Sequence, residues 1–207
     1  MRLVIVSDTH ELHEGLRLPS GDVLIHCGDA ELGFGPTAGD VERLDRWFAR
    51  QDFGLILAVG GNHDFALEVC ASRSPSPFRS ATYLQDSAVD YRGATFYGAP
   101  WVPELASWAF YQPPNVLRER WQLIPDATNV LITHTPPFGV LDRNRSGKSC
   151  GCPSLRERVR DVRPHVHCFG HIHASAGQTE IDGTNFVNAT VVDSSYRLAR
   201  PPTVLDF

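Results

Sequence analysis

Gly60-Gly61-Asn62-His63-Asp64 follows directly on the apolar run Leu55-Ile56-Leu57-Ala58-Val59. The length and β-branched content of that run predict a buried strand, which the two glycines end. An amide, an imidazole and a carboxylate then arrive on consecutive residues. An amide oxygen and a neutral imidazole can both bind a metal ion, and an imidazole can also transfer protons near neutral pH. The stretch therefore predicts a strand that carries reactive groups at its carboxyl end.

The same arrangement, an apolar strand followed by polar side chains, recurs at four other places in the chain. The runs and the polar residues that follow them are 3–6 with Asp8 and His10, 23–27 with Asp29, 129–132 with His134, and 166–169 with His171 and His173. Helical patterns are predicted at 37–51, 65–71, 116–123 and 153–162, and hairpins around Gly93 and around Asp182-Gly183. This alternation predicts an α/β sandwich, one domain over residues 1–207, with its site at the carboxyl ends of the strands.

Composition excludes several classes of function. The 207 residues are 42% hydrophobic and 21% charged, which is typical of a globular protein. A net charge of −5 without a long basic run argues against strong nucleic-acid binding. No apolar segment approaches the roughly 20 residues that a membrane helix needs, and we expect no membrane partner.

The N-terminus lacks a signal-peptide pattern, so the sequence predicts a cytoplasmic protein. The five cysteines are an odd number, which favours free thiols in a reducing compartment. Cys150-Gly151-Cys152 does not have the spacing of a zinc site, and packing is the preferred role for most of these side chains.

The polar clusters together supply carboxylate, amide and imidazole groups. Mixed nitrogen and oxygen ligands suit divalent manganese, iron, cobalt, nickel or zinc, and they suit calcium poorly. The candidate ligands are too many for one ion, and a carboxylate such as Asp29 can bridge two. We therefore expect two divalent metal ions.

The order D-x-H, GD, GNHD, H and GHxH, from Asp8 to His173, resembles that of the calcineurin-like metallophosphoesterase superfamily. Within it, the stretches 133–137, 151–153 and 170–173 are similar to those of small metallophosphoesterase-domain proteins related to brain-type metallophosphodiesterases. The resemblance implies a four-layer αββα sandwich with two mixed β-sheets. It also implies a metal-dependent phosphoric ester hydrolase with manganese as the favoured ion.

The resemblance further assigns roles to the clustered residues. One ion would be held by Asp8, His10, Asp29 and His173, and the other by Asp29, Asn62, His134 and His171. A hydroxide that bridges the ions would attack phosphorus. His63 would donate a proton to the leaving oxygen or stabilise it, and Asp64 would orient His63 or a neighbouring ligand.

Differences between these motifs and those of related enzymes narrow the predicted class of substrate. Protein phosphatases of the superfamily carry GDxVDRG and GNHE, whereas this chain has Gly28-Asp29-Ala30-Glu31-Leu32-Gly33 and GNHD. Lipid-A-type pyrophosphohydrolases carry GNRD at the third cluster, whereas this chain has His63 in place of that arginine. These differences favour phosphodiesters or aryl-like diesters, with cyclic nucleotides as one candidate class.

Two other functions stay open, namely a broad phosphomonoesterase and a catalytically silent metal-binding or scaffold protein. The intact His63 and His171 argue against the silent form. Candidate substrate contacts are Arg143, Arg145 and Trp101. The arginines could meet a phosphate or lie in a solvated loop, and Trp101 could stack on a base or belong to the core. The sequence does not predict the oligomeric state.

Overall fold

Two β-sheets pack face to face and helices cover their outer faces. The computed structural model describes residues 1–31, 39–74 and 76–207. Its strands are β1 (Arg2–Val6), β2 (Val23–His26), β3 (Leu55–Ala58), β4 (Thr82–Tyr83), β5 (Ser87–Tyr91), β6 (Ala94–Ala99), β7 (Val130–Thr133), β8 (Val166–Phe169), β9 (Gly177–Ile181), β10 (Thr184–Asn188) and β11 (Thr203–Asp206). Its α-helices are α1 (Asp40–Phe48), α2 (Phe65–Arg73), α3 (Pro114–Gln122) and α4 (Pro153–Val162).

Both sheets are mixed, as predicted. The first has the order β11-β1-β2-β3-β4, in which β1 to β4 are parallel and β11 is antiparallel to β1. The second has the order β5-β6-β7-β8-β10-β9, in which the four central strands are parallel and both edge strands are antiparallel. The carboxyl ends of the parallel strands therefore form one edge in each sheet.

The alternation of side chains along each strand separates two apolar layers. Leu3 and Ile5 of β1 pack against residues of the second sheet, such as Ile132 of β7, and form the layer between the sheets. Val4 and Val6 point the other way and belong to the layer beneath the helices. Strands buried on both faces read as continuous apolar runs, which is why these runs were recognisable in the sequence.

The helices lie on the outer faces, which confirms the predicted four-layer sandwich. α1 contacts α2, and α3 contacts α4. Phe48 of α1 meets His26 of β2 at 6.2 Å between ring centroids, and Arg156 of α4 lies over the ring of Phe186 of β10. The predicted helix 37–51 is observed from Asp40, and residues 37 and 38 lie outside the described residues. α2 continues to Arg73, two residues beyond the prediction. The Ser/Pro-rich stretch 72–77 predicts a loop after this helix, and its Pro75 lies outside the described residues.

Both predicted hairpins are present. β5 pairs with β6 through a turn at Arg92 and Gly93, and β9 pairs with β10 through Asp182 and Gly183. Both central residues of each turn have positive φ, from 49° to 80°, which matches the twist of two-residue hairpins.

Two strands were not predicted. β4 has only two residues, and β11 follows Pro201-Pro202 in a half-exposed segment. Neither sequence pattern indicates a strand by itself. β4 is too short to show an alternation of side chains, and β11 is defined by its pairing with β1, which is distant in the sequence. Among the described residues, no helix combines the length and apolar character that crossing a membrane would require.

Two histidines inside strands, His26 and His167, make specific hydrogen bonds in addition to packing. The Nε2 atom of His167 lies 2.9 Å from Thr133 Oγ1, and the Thr133 hydroxyl donates to the carbonyl oxygen of Thr135. His167 therefore donates through Nε2 in its neutral form. Burial, together with Arg156, lowers the pKa of His167 to about 3.

This buried neutral histidine predicts acid sensitivity. Below about pH 6.5 the unfolded chain binds a proton on His167 that the folded chain does not bind until about pH 3, so folding stability falls as pH falls through that window. Both proteins are first treated with chelator. When the pH is lowered from 8 to 5, the unfolding free energy of the wild type should fall by about 2 kcal/mol more than that of His167→Gln, whose side-chain amide keeps the bond to Thr133. Urea unfolding at both pH values measures this difference. Equal losses in the two proteins would show that His167 does not stay neutral in the fold.

Candidate metal centre

Five loops deliver the predicted site residues to one edge of the sandwich. They follow β1, β2 and β3 of the first sheet and β7 and β8 of the second. The sheets meet there through backbone bonds, since Ser7 N–H donates to the Ala189 carbonyl and Val191 N–H donates to the Ser7 carbonyl. The structure brings together every residue predicted to bind metal, namely Asp8, His10, Asp29, Asn62, His134, His171 and His173.

Four of these residues have backbones in the left-handed region. The φ angles are 54° for Asp8, 42° for His10, 55° for Asp29 and 69° for His171. Side-chain-bearing residues rarely adopt this conformation, and it persists where the surroundings hold it. Such strain concentrates at functional sites, and here it coincides with the clustered side chains.

Asp8, His10 and His173 form the first ligand group, with donor atoms within 4.8 Å of one another. His173 Nε2 lies 3.2 Å from Asp8 Oδ1 and 3.4 Å from His10 Nε2. Asp8 is fixed from behind by the backbone N–H of His171 and by the hydroxyl of Thr190, which donates to Oδ2 at 2.8 Å.

Asp29, His134 and His171 form the second ligand group, again within 4.8 Å. His134 Nε2 lies 3.3 Å from Asp29 Oδ2 and 3.0 Å from Asn62 Oδ1. The same Asp29 oxygen is 3.9 Å from His10 Nε2. Asp29 therefore stands between the two groups, as a bridging carboxylate would.

The hydrogen bonds behind the histidines show that this donor set suits cations. His10 Nδ1 lies 2.9 Å from the carbonyl oxygen of Glu31, and His134 Nδ1 lies 2.8 Å from that of Cys27. A carbonyl only accepts, so both rings carry a hydrogen on Nδ1 and, when neutral, turn a bare Nε2 into the site. Unprotonated nitrogens and carboxylate oxygens that face one another fit divalent metal ions, and the carbonyls orient the rings.

The charges of the buried groups are coupled. Burial acts to raise the pKa of Asp8, but hydrogen bonding and attraction from His173 hold it well below its usual range. The pKa of Asp29 is likewise lowered, against burial, by His134. Burial opposes protonation of His134, yet Asp29 raises the pKa of that ring to about 9. His134 and Asp29 thus stabilise each other's charged forms.

Asp64 holds two of the ligand loops together. Its carboxylate accepts backbone N–H bonds from Asp29, Ala30 and Gly61 at 2.8 Å and from Glu31 at 3.0 Å. The sequence-based expectation placed Asp64 among the catalytic residues, as a group that orients His63 or a nearby ligand. Because these bonds go to the loop that carries Asp29, we assign Asp64 as a positioning residue for that ligand.

His63 lies beside the ligands. Its backbone N–H donates to Asp29 Oδ1 at 2.8 Å, and its ring centroid is 4.9 Å from that of His10 and 4.6 Å from that of Trp108. Burial lowers the pKa of His63, while the Asp29 carboxylate acts in the opposite direction. The ring lines a cavity of about 260 Å³ over the ligand groups.

The predicted substrate contacts have different positions. Arg145 lines the cavity, next to Asn144. Arg143 is exposed, and its guanidinium donates to the carbonyl oxygen of Gly147 at 3.0 Å. The structure does not bring Trp101 to the cavity, since the ring is 5% exposed and its indole N–H donates to Asp86 at 2.8 Å.

Sequence reasoning missed Tyr196, which lines the cavity and contacts three histidines of the site. No motif marks it, because it lies in a short polar loop well after His173. A second residue of this kind is His26, for which a position inside an apolar strand predicts only packing. His26 accepts the N–H of Gly28 at Nδ1, and its Nε2 lies 3.1 Å from Thr9 Oγ1, so it joins two of the ligand loops.

Removing the Asp64 carboxylate should weaken both the fold and the site. Asp64→Ala leaves four buried backbone donors without their acceptor, and each such donor costs about 1–3 kcal/mol. We expect unfolding free energy to fall by about 3 kcal/mol or more and the metal content after loading to decrease. Chemical denaturation and elemental analysis measure these effects. Asp52→Ala, at an exposed carboxylate before β3, serves as the matched control and should change neither. A variant that keeps wild-type stability and metal content would contradict the positioning role.

Comparisons with known proteins agree with this geometry. The profile of the calcineurin-like phosphoesterase superfamily domain matches residues 1–204. The chain is 36% identical over 232 residues to human metallophosphoesterase domain-containing protein 1, covering 99% of this chain and 70% of that protein. It is 33% identical over 233 residues to a UPF0046 protein of Caenorhabditis elegans, covering 100% of this chain and 80% of that protein.

Solved structures share the fold at low sequence identity. Phosphopantetheinyl hydrolase of Mycobacterium tuberculosis superimposes with a TM-score of 0.62 at 16% identity, covering 94% of this chain and 90% of that one. The protein TT1561 of Thermus thermophilus does so with a TM-score of 0.61 at 13% identity, covering 90% and 88%. The profile match, and the 36% identity to a relative of which the chain covers 70%, establish that this chain belongs to the calcineurin-like phosphoesterase superfamily.

Proposed function

We propose that this protein hydrolyses small phosphodiesters at a site that holds two divalent metal ions. The observation that carries the proposal is the position of Asp29, whose Oδ2 lies 3.9 Å from His10 Nε2 on one side and 3.3 Å from His134 Nε2 on the other. Two ligand groups that share one carboxylate are the arrangement that two-metal hydrolases use. Membership of the superfamily supports a metal-dependent phosphoester hydrolase, and the diester preference is our proposal.

The residues of each group are suited to a separate ion. Asp8, His10 and His173 with Asp29 would hold one, and Asn62, His134 and His171 with Asp29 the other. When bound, such ions supply Lewis-acid polarisation of a phosphoryl oxygen and a water of lowered pKa. The mixed nitrogen and oxygen donor set fits manganese, iron, zinc, cobalt and nickel, and we propose manganese because the family resemblance favours it.

His63 is the residue that we place at the leaving group. It lines the cavity, and it is fixed by Asp29 and by the neighbouring Trp108 ring. Its donor atom lies within 4.8 Å of those of His10 and Asp29, but both ligand sets are complete without it. Burial lowers the pKa of His63. The neutral ring would donate an N–H hydrogen bond to the leaving oxygen, and the imidazolium form would transfer its proton to that oxygen and become neutral. Phosphodiesters benefit from such a donor when they expel an alkoxide.

A phosphomonoesterase is the second candidate, and Arg145 is the observation that favours it. Its guanidinium lines the cavity, and arginine suits the dianion of a monoester. Against it, the arginine of the protein-phosphatase motif GDxVDRG has no counterpart in this chain, where Ala30-Glu31-Leu32-Gly33 follow Asp29.

Turnover measurements separate these functions. The protein loaded with manganese should hydrolyse bis-p-nitrophenyl phosphate faster than p-nitrophenyl phosphate. The reverse ratio would identify a monoesterase. Absence of turnover with both substrates, in protein shown by elemental analysis to hold two ions, would identify a silent metal-binding protein. A comparison of cyclic nucleotides, dinucleotides and phospholipid-like diesters then tests the substrate class. The cytoplasmic location and the absence of strong nucleic-acid binding stay predictions.

Replacing His63 tests its role more sharply when the leaving group is varied. His63→Ala should reduce kcat for a diester with an alkoxide leaving group by about a hundredfold or more, because general acid catalysis typically contributes that much. The reduction for bis-p-nitrophenyl phosphate should be much smaller, since p-nitrophenolate leaves without a proton. Metal content should stay at the wild-type level.

The control for this variant is His165→Ala, which removes an exposed imidazole that contacts Phe207. It should leave both rates unchanged. Loss of metal from His63→Ala, or equal reductions for the two leaving groups, would mean that His63 does not act on the leaving oxygen.

A further inference from the structure

We propose that Tyr196 is a substrate-contacting residue whose ring favours esters with a flat aromatic leaving group. This inference rests on the proposed phosphoesterase function and names the substrate feature that the site selects. Its basis is the placement of one exposed aromatic ring directly over the metal-centre histidines.

The ring of Tyr196 occupies the mouth of the site. Its centroid lies 4.7 Å from that of His10, 5.4 Å from that of His173 and 6.2 Å from that of His63. The angles between the ring planes are 79°, 84° and 71°, so the phenol ring stands nearly perpendicular to each imidazole. The side chain is nevertheless 42% exposed and lines the cavity. One part of the ring is therefore fixed by the site and the rest is available to a ligand.

The loop that carries Tyr196 is built to hold it there. The Asp193 carboxylate accepts the backbone N–H of Ser195 at 2.8 Å and that of Arg197 at 3.1 Å, and it pairs with the Arg197 guanidinium at 2.9 Å. Tyr196 N–H donates to the Asp193 carbonyl at 3.0 Å. Tyr196 itself has a φ of 57°, an unfavourable conformation for an aromatic residue. Its ring adds nothing to the closed core of the fold, so this strain points to a function at the cavity.

The composition of the cavity indicates what the ring would contact. Asp29, Asn62, His171 and His173 make the wall that would hold the ions and the phosphoryl group, and Arg145 adds a positive charge. Tyr196 and Ile172 supply apolar lining. Since His63 stands at the leaving group and within 6.2 Å of the Tyr196 ring, the group that departs beside His63 would lie along that ring. Aromatic pairs of this kind gain energy beyond simple burial.

Binding and turnover of matched ligands test the proposal. The variants are Tyr196→Ala, which removes the ring, and Tyr196→Phe, which removes only the hydroxyl. Leu198→Ala is the matched control, because Leu198 is an exposed apolar residue of the same loop and does not line the cavity. Each manganese-loaded protein is titrated calorimetrically with phenyl phosphate and with methyl phosphate. kcat/KM is then measured for a diester with a phenyl leaving group and for one with a methyl leaving group.

Tyr196→Ala should weaken phenyl phosphate binding roughly three- to tenfold, the range expected for one aromatic contact, and change methyl phosphate binding less than about twofold. kcat/KM should show the same split between the two leaving groups. Tyr196→Phe and Leu198→Ala should resemble the wild type. Equal losses for both ligands, or a loss in Tyr196→Phe as large as in Tyr196→Ala, would overturn the ring contact, and so would loss of bound metal from Tyr196→Ala.

The two measurements keep the proposals distinguishable. If the wild type hydrolyses both diesters but neither binding nor kcat/KM depends on the ring, this inference is wrong and the proposed function stands. If the wild type hydrolyses neither ester yet binds phenyl phosphate through Tyr196, the aromatic contact stands and the proposed function is wrong.

Discussion

The carboxylate of Asp29 lies between histidines that come from opposite sheets, and the rest of the site depends on that meeting. His10 follows β1 of the first sheet and His134 follows β7 of the second, and one Asp29 oxygen faces both. Negative charge at this point is stable only while positive charge surrounds it, since the carboxylate is fully buried. The sandwich, with parallel strands that end at a common edge, is what allows donors from two sheets to converge on one oxygen.

Close approach of the ligand loops also requires residues without side chains. A Cβ on Gly61 would lie 2.5 Å from the backbone nitrogen of Asp29 and 2.7 Å from His134 Cε1. Gly28 has a φ of 92°, and a Cβ there would lie 2.7 Å from the carbonyl oxygen of Gly60. The glycines of the GD and GNHD stretches are therefore needed to seat the bridging carboxylate, apart from any role in ending the strands.

The sequence was informative where local pattern and function coincide. Apolar runs buried on both faces predicted the strands, and the polar residues after them predicted which side chains meet, because chain direction alone fixes where a parallel strand ends. It was less informative where a contact depends on the folded chain. Asp64 and His26 looked like a local orienting group and a packing residue, but their partners lie on neighbouring loops. Tyr196 reaches the cavity only through a loop after β10, and Trp101 is turned away from it by Asp86.

The pairing of β11 with β1 has a consequence for proteolysis. β1 carries Asp8 and His10 at its end, and one of its two neighbours in the sheet is residues 203–206. Without residues 203–206, β1 would be an edge strand with unpaired backbone groups, and such edges invite association with other chains. A cut in the half-exposed segment before β11 would therefore uncover an aggregation-prone edge directly below the metal-binding loop.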